Sequence, residues 1–152
     1  MSSNEFKLPK GVSGFSNKDQ NHDVSFARFK SACVEAGRRA GGWASKYVQA
    51  GVTPNFHQAT IKYDGKSLHV VCNPEFGFIA FAEATNSASL EFFDDADFTK
   101  SFKLQGYKVI QSAVLSEKLD DNNCSELHET ELEQVKYWRS KVVGDVIFNW
   151  YD

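Results

Sequence analysis

The chain has 152 residues, 41% of them hydrophobic and 24% charged, with a net charge of −3. That length suits one domain able to bury its own core without a disulfide or metal staple. A negative total argues against a general nucleic-acid binder, and no run approaches the 18 apolar residues of a membrane-spanning helix.

The charge is unevenly distributed. Residues 1–70 carry ten basic and five acidic residues, a net of +5. Residues 71–152 carry seven basic and fifteen acidic residues, a net of −8. This predicts a face with an acidic field. Cys33, Cys72 and Cys124 are odd in number, widely spaced and without histidine at metal-ligand spacing. They read as reduced thiols in a cytoplasmic protein, and no metal or cofactor is expected. The start, MSSNEFKLPKG, lacks an apolar signal core, so no secretion signal is expected.

Residues 1–22 are polar and read as a flexible N-terminal arm, with a strand at Phe6–Leu8 as the other reading. Residues 23–152 read as one α+β domain. Asp23 is placed to cap a helix whose Phe26, Phe29 and Cys33 form one stripe. Glycines 37, 41 and 42 interrupt it, and a second helix is expected from Trp43 to Ala50. Next comes the clearest local signal, FHQATIKYDGKSLHVVCN. Two alternating runs joined by Asp64-Gly65 predict a β-hairpin with a primed turn. FGFIAFAEA is apolar on both faces, as a central strand would be. A further strand is expected at Ser89–Phe93.

Asp94 or Asp95 caps a predicted short helix that carries Phe98 and Phe102 four residues apart and closes at Gly106. Tyr107–Ile110 reads as a strand, and residues 117–129 as an acidic loop. Thr130 and Glu133 have capping-box spacing ahead of Leu132, Val135 and Trp138. The end, VGDVIFNWYD, fits a helix through Val143, Ile147 and Trp150, docked on the sheet with Asp145 at its rim. A strand is the alternative there. The expected architecture is an N-terminal helix, an antiparallel meander of three to five strands, and helices packed on one face.

The residues that carry chemistry form no catalytic constellation. His57 and His69 sit on the two arms of the hairpin, where a pair could bind metal or move protons. The plainer reading is two half-exposed strand residues. Cys72 and His69, three apart on a strand, face opposite sides. GRRAGGW lacks the preceding strand and the Lys-Ser/Thr of a phosphate loop. Arg38, Arg39 and Trp43 could stack on RNA, but two cations at a helix C-terminus explain the pattern as well. Acidic residues stand around phenylalanines at Glu91, Asp94, Asp95 and Asp97, and again at Asp120 and Asp121. They read either as a solvated helix start and loop or as a surface for a basic partner. Trp138, Phe148, Trp150 and Tyr151 are of the types that anchor interfaces, though core packing accounts for them too.

The stretch ELEQVKYWRSKVVGDVIFNWYD resembles the C-terminal signature of small bacterial proteins. With its size, acidity and lack of a catalytic motif, the chain is similar to immunity proteins of bacterial toxin systems. That resemblance implies a non-catalytic cytoplasmic protein that binds and neutralises a cognate toxin domain, a nuclease among the candidates. Immunity proteins share no single fold, so no residue role is carried over. The six acidic residues would then fill a basic cleft of the partner. The alternative is a small-molecule-binding or hydrolase-like pocket between sheet and helix, lined by Phe76, Phe78 and Phe81 with His57 or His69 at its mouth.

Overall fold

The computed structural model describes residues 6–14, 25–51, 54–83 and 91–151. The fold is α+β, with an N-terminal helix, a mostly antiparallel sheet and further short helices. Helix α1 (Phe26–Arg39) starts after Ser25, whose hydroxyl accepts from Arg28 N–H at 3.1 Å. Ser25 is therefore the cap; Asp23 lies outside the described residues. The helix buries Phe29, Ala32, Cys33, Ala36 and Gly37, a stripe of three- and four-residue steps.

The expected second helix is instead strand β1 (Trp43–Val48). Four of these eight residues (Ala44, Lys46, Gln49, Ala50) are good helix formers, so propensity does not exclude a helix, but a lone helix of that length is marginal. A hairpin edge offers them a full ladder of bonds. Gly42 makes the approach possible, since a Cβ there would lie 1.8 Å from the Lys62 carbonyl oxygen. A bulge between Ser45 and Val48 turns Lys46 to φ 55°, which interrupts the outer edge of this strand.

Strands β2 (His57–Tyr63) and β3 (Lys66–Asn73) form the predicted hairpin. Asp64 and Gly65 both have positive φ, 50° and 72°, the signature of a type I′ turn. Strand β4 (Phe78–Ala82) is buried at every position and lies inside the sheet. Its far edge is shared. Strand β5 (Phe92–Phe93) pairs antiparallel with its second half, and β6 (Lys108–Val109) pairs parallel with its first. Helix α2 (Ala96–Leu104) joins them, capped by Asp95.

The sheet is covered on both faces, which corrects the expectation of helices on one face. Ile61, Val70, Ile79 and Phe81 pack beneath α1 and α2. Val71, Phe78 and Ala80 face the other way, toward α3 (Ser112–Leu115), α5 (Val143–Ile147) and residues 8–12. No segment of the second layer is long enough to cover that face alone, so the chain assembles the layer from pieces. Leu8 and Val12 are fully buried in it, although sequence placed them in a loose arm. No strand forms at Phe6–Leu8. Val146, Ile147 and Phe148 are buried as well, so the C-terminal segment is docked on the sheet. Helix α5 is shorter than expected and leaves Trp150 beyond its end.

Helix α4 (Glu129–Tyr137) is capped by His128, not by Thr130. The His128 Nδ1 accepts from Thr130 N–H, and Glu131 accepts from His128 N–H at 3.0 Å. Glu131 is fully buried. Its carboxylate also takes the N–H groups of Gly11 (2.8 Å) and Ser13 (2.9 Å) and the Ser13 hydroxyl (2.5 Å). This is why the register of the cap moves: a buried carboxylate that ties residues 11–13 to the start of α4 outweighs a local Ser/Thr-type box.

Two outcomes test this account. Gly42→Ala should cost at least about 3 kcal/mol or prevent folding, because the obstacle is backbone rather than a mobile side chain. Urea unfolding reads it. Glu131→Gln replaces one acceptor oxygen by an NH₂ facing N–H donors, and should cost roughly 2–4 kcal/mol. Hydrogen exchange should show the Gly11 and Ser13 amides losing protection ahead of the hairpin.

Candidate functional site

The six acidic residues divide by what their carboxylates already do. Asp94 accepts from the Ser112 N–H (2.7 Å) and hydroxyl (2.8 Å), fixing the start of α3. Asp95 caps α2 through the Phe98 N–H at 2.9 Å. Asp120 exchanges bonds with Asn123, taking its N–H at 2.9 Å while the Asn123 side chain takes the Asp120 N–H. Glu91, Asp97 and Asp121 are exposed. Asp95 and Asp97 line a cleft of about 370 Å³ between α1 and α2, but Arg39 and Lys100 line it too. The acids therefore form no single carboxylate cluster with one task.

The histidines do not meet. Pairing sets His57 opposite Cys72 and His69 opposite Thr60, so the two rings point to opposite faces. His57 is buried against the rings of Phe26 and Phe29, at 5.3 and 5.5 Å, and its Nδ1 accepts from Ala50 N–H. His69 lies between Gln58 and Thr60, and burial lowers its pKa. Phe78 and Phe81 likewise belong to opposite layers, and Phe76 is partly exposed. The residues named for a sheet pocket thus line no common cavity. Burial pushes the Cys33 and Cys72 thiols up, away from the thiolate form that a nucleophile needs. Arg38 and Arg39 both pair with Glu35, at 2.6 and 2.7 Å. Trp43 is exposed on β1.

What the fold does bring together is the aromatic C-terminal region. A cleft of about 320 Å³ opens where the end of α4, helix α5 and β5 meet. Its walls are Phe92, Trp138, Phe148, Trp150 and Tyr151, and Arg139 and Asp145 reach it as charges. The Trp138 and Tyr151 rings stack at 6.3 Å and 15°. Tyr137 meets Trp138 edge-on and is 75% exposed; Trp138 is 42% exposed. The Tyr151 hydroxyl lies 2.5 Å from that of Ser140. Burial, with Asp145 and Glu131 adding to it and Ser140 opposing, pushes the phenol up to about 12.

Local rules explain the cleft's shape. Helix α4 ends at Trp138 in a Schellman motif, with Ser140 N–H on Val135 C=O (3.1 Å) and Arg139 N–H on Lys136 C=O (3.2 Å). The residue that turns the chain is Arg139, at φ 55°, where glycine is the usual occupant. The turn brings Lys141 and Val142 round to Asp145, whose Oδ2 accepts both their N–H groups, at 3.0 and 3.2 Å. Trp138, Trp150 and Tyr151 were readable from sequence as a candidate patch. Phe92 was not, because it arrives from another strand, and Arg139 carries no signal short of its backbone angle.

No protein-family model, curated protein or solved structure matches the chain.

Arg139→Gly should stabilise the protein by about 1 kcal/mol, since a non-glycine residue in the left-handed region costs roughly that much. A higher urea midpoint at unchanged slope is the expected reading. Trp150→Phe should cost less than a typical large-to-small change. The buried Trp150 Nε1 has no hydrogen-bond partner among the described residues, so its removal breaks no bond and relieves a desolvated donor.

Proposed function

We propose that the chain is a non-catalytic protein-binding module of the immunity type, which neutralises a cognate toxin domain in the cytoplasm. The observation that carries the reading is the exposed Tyr137–Trp138–Arg139 ridge over the aromatic cleft. Tyr, Trp and Arg dominate the binding energy of protein interfaces, and exposed rings around a concave site are costly for a monomer to keep for stability alone. The histidines, the buried cysteines and half of the acidic residues have structural partners that explain their presence without chemistry.

Charge supports the same reading. Glu91, Asp97 and Asp121 are exposed, and Glu91 directly precedes the cleft residue Phe92. Exposed acids of this kind steer a basic partner, such as a nuclease domain, and raise its association rate more than its final affinity. Among the described residues no helix is long and apolar enough to cross a membrane.

The test is rescue. The partner captured at equal stoichiometry from the source cells should be toxic when expressed alone and harmless when expressed with this chain. Trp138→Ala should restore the toxicity. A captured partner without toxicity, or rescue unaffected by Trp138→Ala and Tyr137→Ala together, overturns the reading. For the acids, Asp97→Lys with Asp121→Lys should slow association about tenfold at low salt and less at high salt. An unchanged rate removes them from the interface.

A further inference from the structure

We infer that the C-terminal cleft is a receptor for a guanidinium group, filled in the complex by an arginine side chain of the partner. The inference rests on the protein-binding reading for its source of arginine, but the site stands on its own geometry. Trp138, Trp150 and Phe92, all at least partly exposed, line one volume of about 320 Å³, ample for an arginine head and stem, and the almost fully buried Phe148 and Tyr151 border it. The negative faces of such rings attract cations, and a flat guanidinium stacks on them better than an ammonium does. Asp145 supplies the counter-charge. It is exposed, and only its Oδ2 is used by the backbone of Lys141 and Val142. Among the described residues its Oδ1 has no hydrogen-bond partner.

Arg139 is the one cation in the lining and Asp145 the one acid. After burial, Asp145 and Glu131 are among the groups that raise the pKa of the Tyr151 phenol. Arg139 stands at the exposed rim of the turn. A carboxylate that lines the same volume as aromatic rings favours a cation over an anion or a neutral group of the same shape.

The probe is N-acetyl-arginine amide, followed by the indole N–H signals of the three tryptophans in a nitrogen–proton correlation spectrum. Trp43, exposed on β1, serves as an internal reference. The expected result is saturable movement of the Trp138 and Trp150 signals with Kd on the order of millimolar, and a still Trp43. N-acetyl-citrulline amide, with the same shape and no charge, should bind at least about fivefold more weakly. Asp145→Asn keeps an oxygen for the two N–H groups of Lys141 and Val142 and removes only the charge, so it should lower affinity about threefold to tenfold without unfolding the chain. Equal binding of the arginine and citrulline amides, no movement of Trp138 and Trp150 at about 50 mM, or full affinity in Asp145→Asn overturns the site. None of these outcomes touches the toxin rescue, so the two readings fail separately. A cleft that binds arginine in a chain that rescues no toxin would keep this inference and discard the immunity one.

Discussion

The second layer of this fold depends on polar groups that fasten short segments to a sheet. The fourteen-residue α1 and the nine-residue α2 cover the first face. The other face is covered by residues 8–12, two helices of four and five residues, and the C-terminal residues. None of these has enough apolar surface to hold its place alone. Glu131 gathers Gly11, Ser13 and the start of α4 onto one carboxylate. Three buried asparagines do the rest. Asn73, at the end of β3, donates to Val12 C=O and Ile147 C=O, at 2.7 and 2.8 Å. Asn55 and Asn149 exchange bonds across 94 positions of sequence, and Asn149 also donates to Ser13 C=O. Hydrogen bonds to a charged group contribute about 1.5–3 kcal/mol each, which is the scale needed to offset burying the carboxylate.

This arrangement joins the architecture to the site. The cleft lies between pieces of that second layer, so its walls hold their places only while the ties hold. Asp145 uses one oxygen to organise the entry to α5, which leaves the other for the proposed guanidinium. Asp94 shows the reverse, with both oxygens taken by Ser112, and Asp95 uses one for the α2 cap. Their carboxylates are taken up by helix starts, and sequence position alone made them look like members of a surface patch. Net charge by half-chain therefore overstates the acidic surface open to a partner.

The legible parts of the sequence were those set by neighbours along the chain. The type I′ hairpin at Asp64-Gly65, the all-apolar β4, the stripe on α1 and the helical C-terminal segment follow from local periodicity and turn chemistry. The parts that were not legible are set by distant residues. Trp43–Val48 is a strand because Gly42 lets it reach Lys62, and nothing within those six residues says so. The cap of α4 sits at His128 because Glu131 answers to Gly11 and Ser13, about 120 positions away. The aromatic patch was half legible. Trp138, Trp150 and Tyr151 stand in one sequence stretch, but the cleft needs Phe92 and the turn at Arg139, and both are tertiary facts.

Arg139 separates stability from function at one position. The Schellman turn asks for glycine, and an arginine there is held in a conformation that disfavours it. Packing does not compensate, since the residue is exposed. A chain selected for stability alone would lose that side chain. At the same turn Trp138 stays exposed beside Tyr137, and Asp145 keeps an oxygen free of the backbone. Two departures from what a stable monomer prefers, the exposed Tyr137–Trp138 pair and the Arg139 turn, thus fall beside one concave volume that Asp145 also lines. Departures that cluster in this way mark a surface shaped by what it contacts, whereas scattered ones would mark only tolerance. This is the physical ground on which the binding face is proposed at the end of α4, with the exposed acids left to steer a partner toward it.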